Sequence, residues 1–132
     1  MSKSRILLLL FAPLLLLTMA FRQVPLVDQP PIAVPAGFND AQVENVIAQA
    51  LMLRGWTIDS RKAGEIDATY APRDFSVSIA VHYDTRQIRI NYVTSNNLKY
   101  EVKNGQRMIH TNYASWIKNL VNDIHNQFMM AK

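Results

Sequence analysis

Five residues between positions 65 and 91 carry side chains whose chemistries fit together: Glu65, Asp67, His82, Arg89 and Asn91. A histidine beside carboxylates can move a proton, and an arginine beside an amide can hold an anion or a hydroxyl. All five sit at alternate positions of apolar-polar repeats. Ile66, Ala68 and Tyr70 alternate with Glu65 and Asp67. Phe75, Val77, Ile79, Val81 and Tyr83 alternate with Ser76, Ser78, Ala80 and His82. Ile88, Ile90 and Tyr92 alternate with Arg89 and Asn91. A period of two predicts strands with one apolar and one polar face, and all five side chains fall on the polar one.

Turn lengths set which of them meet. A two-residue turn at Asp84-Thr85 opposes Val81 to Ile88 and Ile79 to Ile90, and a longer even loop keeps the same faces. A four-residue turn over 71–74, with Pro72 at its second position, opposes Ala68 to Val77 and Ile66 to Ile79. In that register Asp67, Ser78 and Asn91 form one row, and Glu65, Ala80 and Arg89 the next. His82 faces Gln87. Glu65 and Arg89 would then meet across the small Ala80, in a surface pair worth at most about 1 kcal/mol. Such a face suits a polar ligand or a partner protein. A catalytic version, with His82 as base and Asp67 or Glu65 assisting, needs an oriented nucleophile and a cleft, and the sequence supplies neither. No catalytic residue is therefore assigned.

The rest of the chain excludes several chemistries. There is no cysteine, which removes disulfides, thiolate metal sites and cysteine nucleophiles. His82, His110 and His125 lack metal-ligand spacing, so no metal is expected. No glycine-rich phosphate loop, HExxH or GxSxG motif occurs, and no cofactor is expected. The net charge is +4, of which Lys3 and Arg5 supply two. The remaining basic residues are scattered, without a basic stripe interleaved with aromatics, so nucleic-acid binding is disfavoured.

Two helices must flank the strands. Val43, Val46, Ile47, Ala50 and Leu51 recur at steps of three and four after a cap at Asn39 or Asp40, and Gly55 ends the run. Ile109, Tyr113, Trp116, Ile117, Leu120, Val121, Ile124 and Phe128 make a wider stripe, with His110 near its start in a capping or packing role. Trp56-Thr57-Ile58-Asp59 alternates as a short strand, followed by a polar link at 60–63, and 94–106 reads as a loop with a brief extended piece at 98–102. The order α-β-β-β-β-α predicts an α+β, two-layer sandwich. Its sheet is a three- to four-stranded antiparallel meander with both helices on one face.

The N-terminus reads as an address. A basic start, an apolar run at 6–17 broken only by Pro13, and small residues around Thr18-Met19-Ala20 give the layout of a secretory signal over residues 1–20. The alternative is an uncleaved inner-membrane tether through residues 6–21, although the run is short for a spanning helix. Residues 21–37 contain Pro25, Pro30, Pro31 and Pro35 and read as a proline-rich linker, leaving 38–132 as a single α+β domain.

Ser95-Asn96-Asn97-Leu98-Lys99-Tyr100, then Ile109-His110-Thr111-Asn112-Tyr113, Trp116 and Asn119-Leu120 resemble a group of small, functionally unassigned bacterial envelope proteins, many of them lipoproteins. Arg54-Gly55-Trp56 and Gly64-Glu65-Ile66 fit the same pattern. The resemblance implies an exported helix–sheet–helix domain without catalytic residues to carry over. This chain lacks the cysteine that would accept a lipid.

The sequence thus points to a periplasmic or secreted accessory or binding protein of the cell envelope, monomeric and without chemistry of its own. Its partner is an envelope protein or a polar envelope ligand. The rivals are a structural module that self-associates through an open sheet edge at 88–94 and an enzyme using the polar face. As a core residue, Trp116 would cost roughly 3–5 kcal/mol on truncation to alanine.

Overall fold

The computed structural model describes residues 22–131. The leader read at residues 1–20 and the tether read at 6–21 lie outside them. The chain runs β1 (Gln23–Pro25), β2 (Ile32–Ala33), α1 (Asp40–Leu53), β3 (Thr57–Lys62), β4 (Glu65–Tyr70), β5 (Ser76–Tyr83), β6 (Gln87–Asn96), β7 (Glu101–Lys103), β8 (Gln106–His110) and α2 (Thr111–Met130). It forms two antiparallel sheets, a five-stranded one in the order β2-β6-β5-β4-β3 and a three-stranded one in the order β1-β8-β7. Among the described residues no helix is long and apolar enough to cross a membrane.

The α+β sandwich follows from one-sidedness. Ile66 and Ala68 of β4, Val77, Ile79 and Val81 of β5, and Ile88 and Ile90 of β6 all turn inward. Val43, Ile47, Ala50 and Leu51 of α1 and Ile117, Leu120, Ile124 and Phe128 of α2 complete the same core. Asn39 caps α1 by accepting from the Gln42 backbone at 2.9 Å, and the Gln42 side chain returns the bond to the Asn39 N–H, forming a capping box. Gly55, at φ +93°, takes the left-handed turn that ends α1. His110 caps α2, its Nδ1 accepting from the Asn112 N–H at 3.0 Å. The helices are tied at one end by Arg54, which donates twice to the Asp123 carboxylate at 2.7 and 2.9 Å. The edge of Phe38 meets the Phe128 ring at 5.0 Å.

Residues 21–37 were expected to be a linker, and the structure corrects this. Gln23–Pro25 pairs with β8, and Ile32–Ala33 pairs with β6. Between them Leu26 is as buried as Ile32, at 4% exposure each. Pro25 is tolerated because β1 is an edge strand, and the fixed φ of the prolines lowers the cost of ordering the strap. Gln23–Pro25 and Ile32–Ala33 are thus paired parts of the fold, which is not confined to residues 38 onward.

Three further expectations change. The stretch 94–106 is not a loop: β6 runs on to Asn96, and β7 and β8 form a hairpin closed by Asn104 and Gly105, both at positive φ (51° and 75°). An Asn-Gly pair at positive φ is the preferred two-residue hairpin turn. The edge expected to be open at 88–94 is covered by β2 only at Ile88, where the short β2 pairs with Gln87 and Ile88; β2 and β3 are the outermost strands of that sheet. β3 is interrupted by an irregularity between Ile58 and Ser60 and carries Arg61 and Lys62, features that discourage edge pairing. Trp116 is only partly buried, packed against the margin of the core.

These placements predict two outcomes in chemical denaturation. Ile32→Ala should destabilise the protein by about 2–4 kcal/mol, whereas a linker residue would cost almost nothing. Leu120→Ala should cost about 2–5 kcal/mol, and Trp116→Ala nearer 1–2 kcal/mol because its site already meets solvent.

Candidate functional site

The polar face of the five-stranded sheet lies opposite the helices. The connections that shape it are longer than the shortest turns but still even, so the face holds while the rows shift by two residues. Tyr83 opposes Ile88 around a four-residue loop, and Tyr70 opposes Val77. One row is therefore Lys62, Glu65, His82 and Arg89, and the next is Ser60, Asp67, Ala80 and Asn91. The expected pairing of Glu65 with Arg89 across Ala80 is replaced: His82 stands between them. Asp67 and Asn91 flank Ala80 instead. The five residues singled out from the sequence thus occupy two adjacent rows, and His82 joins the acid and the base rather than facing Gln87.

His82 Nδ1 lies 3.5 Å from Glu65 Oε1, with the histidine side chain 48% exposed. Protonation of His82 makes this an ion pair, open to water and accordingly weak. The Gln87 amide, turned with its oxygen toward Arg89, accepts from Arg89 Nε and Nη2 at 3.1 and 3.0 Å. Gly64, His82, Tyr83, Asp84, Gln87 and Arg89 line a shallow depression of about 200 Å³ at this end of the row. Its rim is stiff, because Asp84 Oδ1 accepts from the Arg86 and Gln87 N–H groups at 2.7 and 2.9 Å, which holds the Asp84 carboxyl below its ordinary range. In the second row Ser60 Oγ donates to Asp67 Oδ2 at 2.8 Å. That bond is the main reason the Asp67 carboxyl sits below the usual carboxylate range, and Lys62 and His82 act in the same direction. Beyond it, Thr69 donates to Asp59 at 2.6 Å and shares a bond of 2.9 Å with Ser78.

The face is a lattice of paired polar groups. Among the described residues no hydroxyl is hydrogen-bonded to His82, and no group of three acidic or histidine side chains is placed to hold a metal ion. Its depression is open, so an incoming group would stay hydrated. What the arrangement offers is recognition: a cation at Arg89, an acid at Glu65, an amide at Asn91 and a histidine between.

No protein-family model, curated protein or solved structure matches this chain. The geometry itself has to carry the reading.

The structure also gathers residues that the strand pattern assigned to the core. Tyr70, at the end of β4, is stacked on Trp56 at 5.2 Å and meets the edge of Trp116 at 5.1 Å. Phe75 approaches Trp116 at 6.2 Å. Tyr70, Phe75 and Trp116 are only partly buried, and with Pro72, Arg73 and Asn112 they line a cleft of about 270 Å³ between the β4–β5 turn and the start of α2. The signal was present as a Pro-Arg turn set between two aromatics, but alternation alone does not say that the strand ends stay uncovered.

The Asp67 environment gives a pH prediction. Its folded-state pKa is depressed, so the associated stability is present above the unfolded value, about 3.9, and is lost as pH falls through the folded one. Asp67→Asn should flatten the acid-side decline of stability below about pH 4. Ser60→Ala should raise the Asp67 midpoint, read from its carboxyl carbon shift. An unmoved midpoint would mean that Ser60 is not the cause.

Proposed function

We propose that this chain is an exported, non-catalytic binding or accessory module of the bacterial cell envelope. It presents Glu65, Asp67, His82, Arg89 and Asn91 to a polar envelope ligand or to an envelope protein. The reading is supported above all by the two adjacent rows on a sheet face that no other element of the described chain covers. Charged and amide side chains there are held in register by the strands beneath them, a rigid display that suits recognition. The absence of any cysteine fits a domain that relies on its core, and the leader pattern at residues 1–20 supports export to the periplasm or beyond. An inner-membrane tether through 6–21 would place the same face on the periplasmic side.

The test is a photo-reactive residue placed at His82, and separately at Lys118 on the exposed side of α2, in cells expressing the full chain. Adducts specific to the His82 position, and lost in Arg89→Glu, are expected. Identical adduct patterns from both positions would sink the reading.

A further inference from the structure

We infer that the cleft between the β4–β5 turn and the first turns of α2 is a second binding site, and that its ligand is a carboxylated pyranose, as in an acidic glycan. This site is separate from the polar sheet face. Tyr70 lies five residues along β4 from Glu65, about 17 Å at strand rise.

The lining has the chemistry such a ring demands. A pyranose has an apolar face of C–H groups and an equator of hydroxyls. The cleft is lined by partly exposed aromatic rings, Tyr70, Phe75 and Trp116, with Tyr70 and Trp116 in T-shaped contact at 5.1 Å, so the C–H groups of a sugar entering it meet aromatic carbon. Asn112 stands on the wall and can both donate to and accept from a hydroxyl or an acetamide. Arg73 supplies the charge. It makes no ion pair among the described residues. Its backbone holds φ +56°, a left-handed conformation that side-chain-bearing residues seldom adopt. An unpaired guanidinium at the mouth of an aromatic cleft selects a carboxylate through a forked pair of hydrogen bonds.

The site also has a direction. Asn112, Asn119 and Asn126 recur every seven residues and fall on one line along α2. Their carboxamides hold no hydrogen bond to another side chain among the described residues. The line leads from the aromatic cleft past the Arg54–Asp123 pair. At its far end Asn126 lines a second hollow, with Arg54, Asp123 and Gln127. Asn112 and Asn126 are fourteen residues apart, about 21 Å at helix rise, which leaves room for several sugar units beyond the one in the cleft.

The experiment is a chemical-shift titration of the full chain with three probes: an N-acetylglucosaminyl-N-acetylmuramic acid disaccharide, a galacturonate trimer and neutral triacetylchitotriose. Shifts at Tyr70, Arg73, Phe75, Asn112 and Trp116 are expected with an acidic probe. Binding should be about tenfold tighter than for the neutral sugar, the scale of one charge-assisted hydrogen bond. Which acidic probe binds more tightly distinguishes a wall-type glycan from a uronic-acid polymer as the source. Arg73→Gln, in an exposed turn, should erase the preference for the acidic probes over the neutral one. Asn112→Ala should weaken both kinds of probe. The inference is overturned if no probe shifts the cleft, if the neutral sugar binds as well as the acidic ones, or if shifts gather only at Glu65, His82 and Arg89. The last result would leave the sheet-face reading standing, and cleft shifts without sheet-face shifts would leave that reading to its own test.

Discussion

A sheet with one apolar face cannot stay uncovered, and the rest of this molecule follows from satisfying it. Ile66, Ala68, Val77, Ile79, Val81, Ile88 and Ile90 form a continuous apolar floor. Two helices suffice to roof most of it, with Ile47 and Leu51 from one and Leu120 and Ile124 from the other fully buried. The margins fall to smaller devices: Leu26 and Ile32 from the strap, and Tyr113 of α2, which meets the edge of Tyr92 at 5.7 Å while Tyr100 stacks on the Tyr92 outer side at 5.0 Å. Where this cover thins, at the ends of β4 and β5, aromatic rings reach the surface. The aromatic cleft is thus a by-product of the same packing that makes the core, and its rings come already fixed.

The opposite face obeys a different constraint. Alternation places every second side chain there whether or not it has work to do, and a polar face in water is stable without further cover. What distinguishes this one is its composition by row. Hydroxyls dominate the row of Thr69 and Ser78, whereas charge and amide groups collect in the two rows toward the Asp84 loop. The uneven distribution gives the face a chemically distinct end, and the stiff Asp84 loop forms its rim.

The helices and the central meander were legible because their periods are long enough to repeat several times. Parity carried the inward and outward alternation within β4, β5 and the first half of β6, since any even loop preserves it, although Tyr70 stays partly exposed and Ala80 is buried. Row partners were not legible, because parity cannot distinguish a turn of two residues from one of four. His82 therefore gained Glu65 and Arg89 as neighbours only in three dimensions. The strap escaped for another reason. Strands of three and two residues show no period, and four prolines carry the composition of a linker even though Leu26 and Ile32 are buried in the core. The β7–β8 hairpin had its Asn-Gly signal, but its short polar strands lacked the alternation that would have framed it.

The strap also fixes an order of events. Gln23 pairs with His110, 87 positions later, and Ile32 pairs with Ile88, 56 positions later. A chain that emerges N-terminus first holds its opening strands unpaired until nearly everything else has followed. The meander and helices can assemble from neighbours, but the molecule is sealed only by contacts of the longest sequence separation, which close slowly. The end of the chain that is made first is therefore the last to be locked in place.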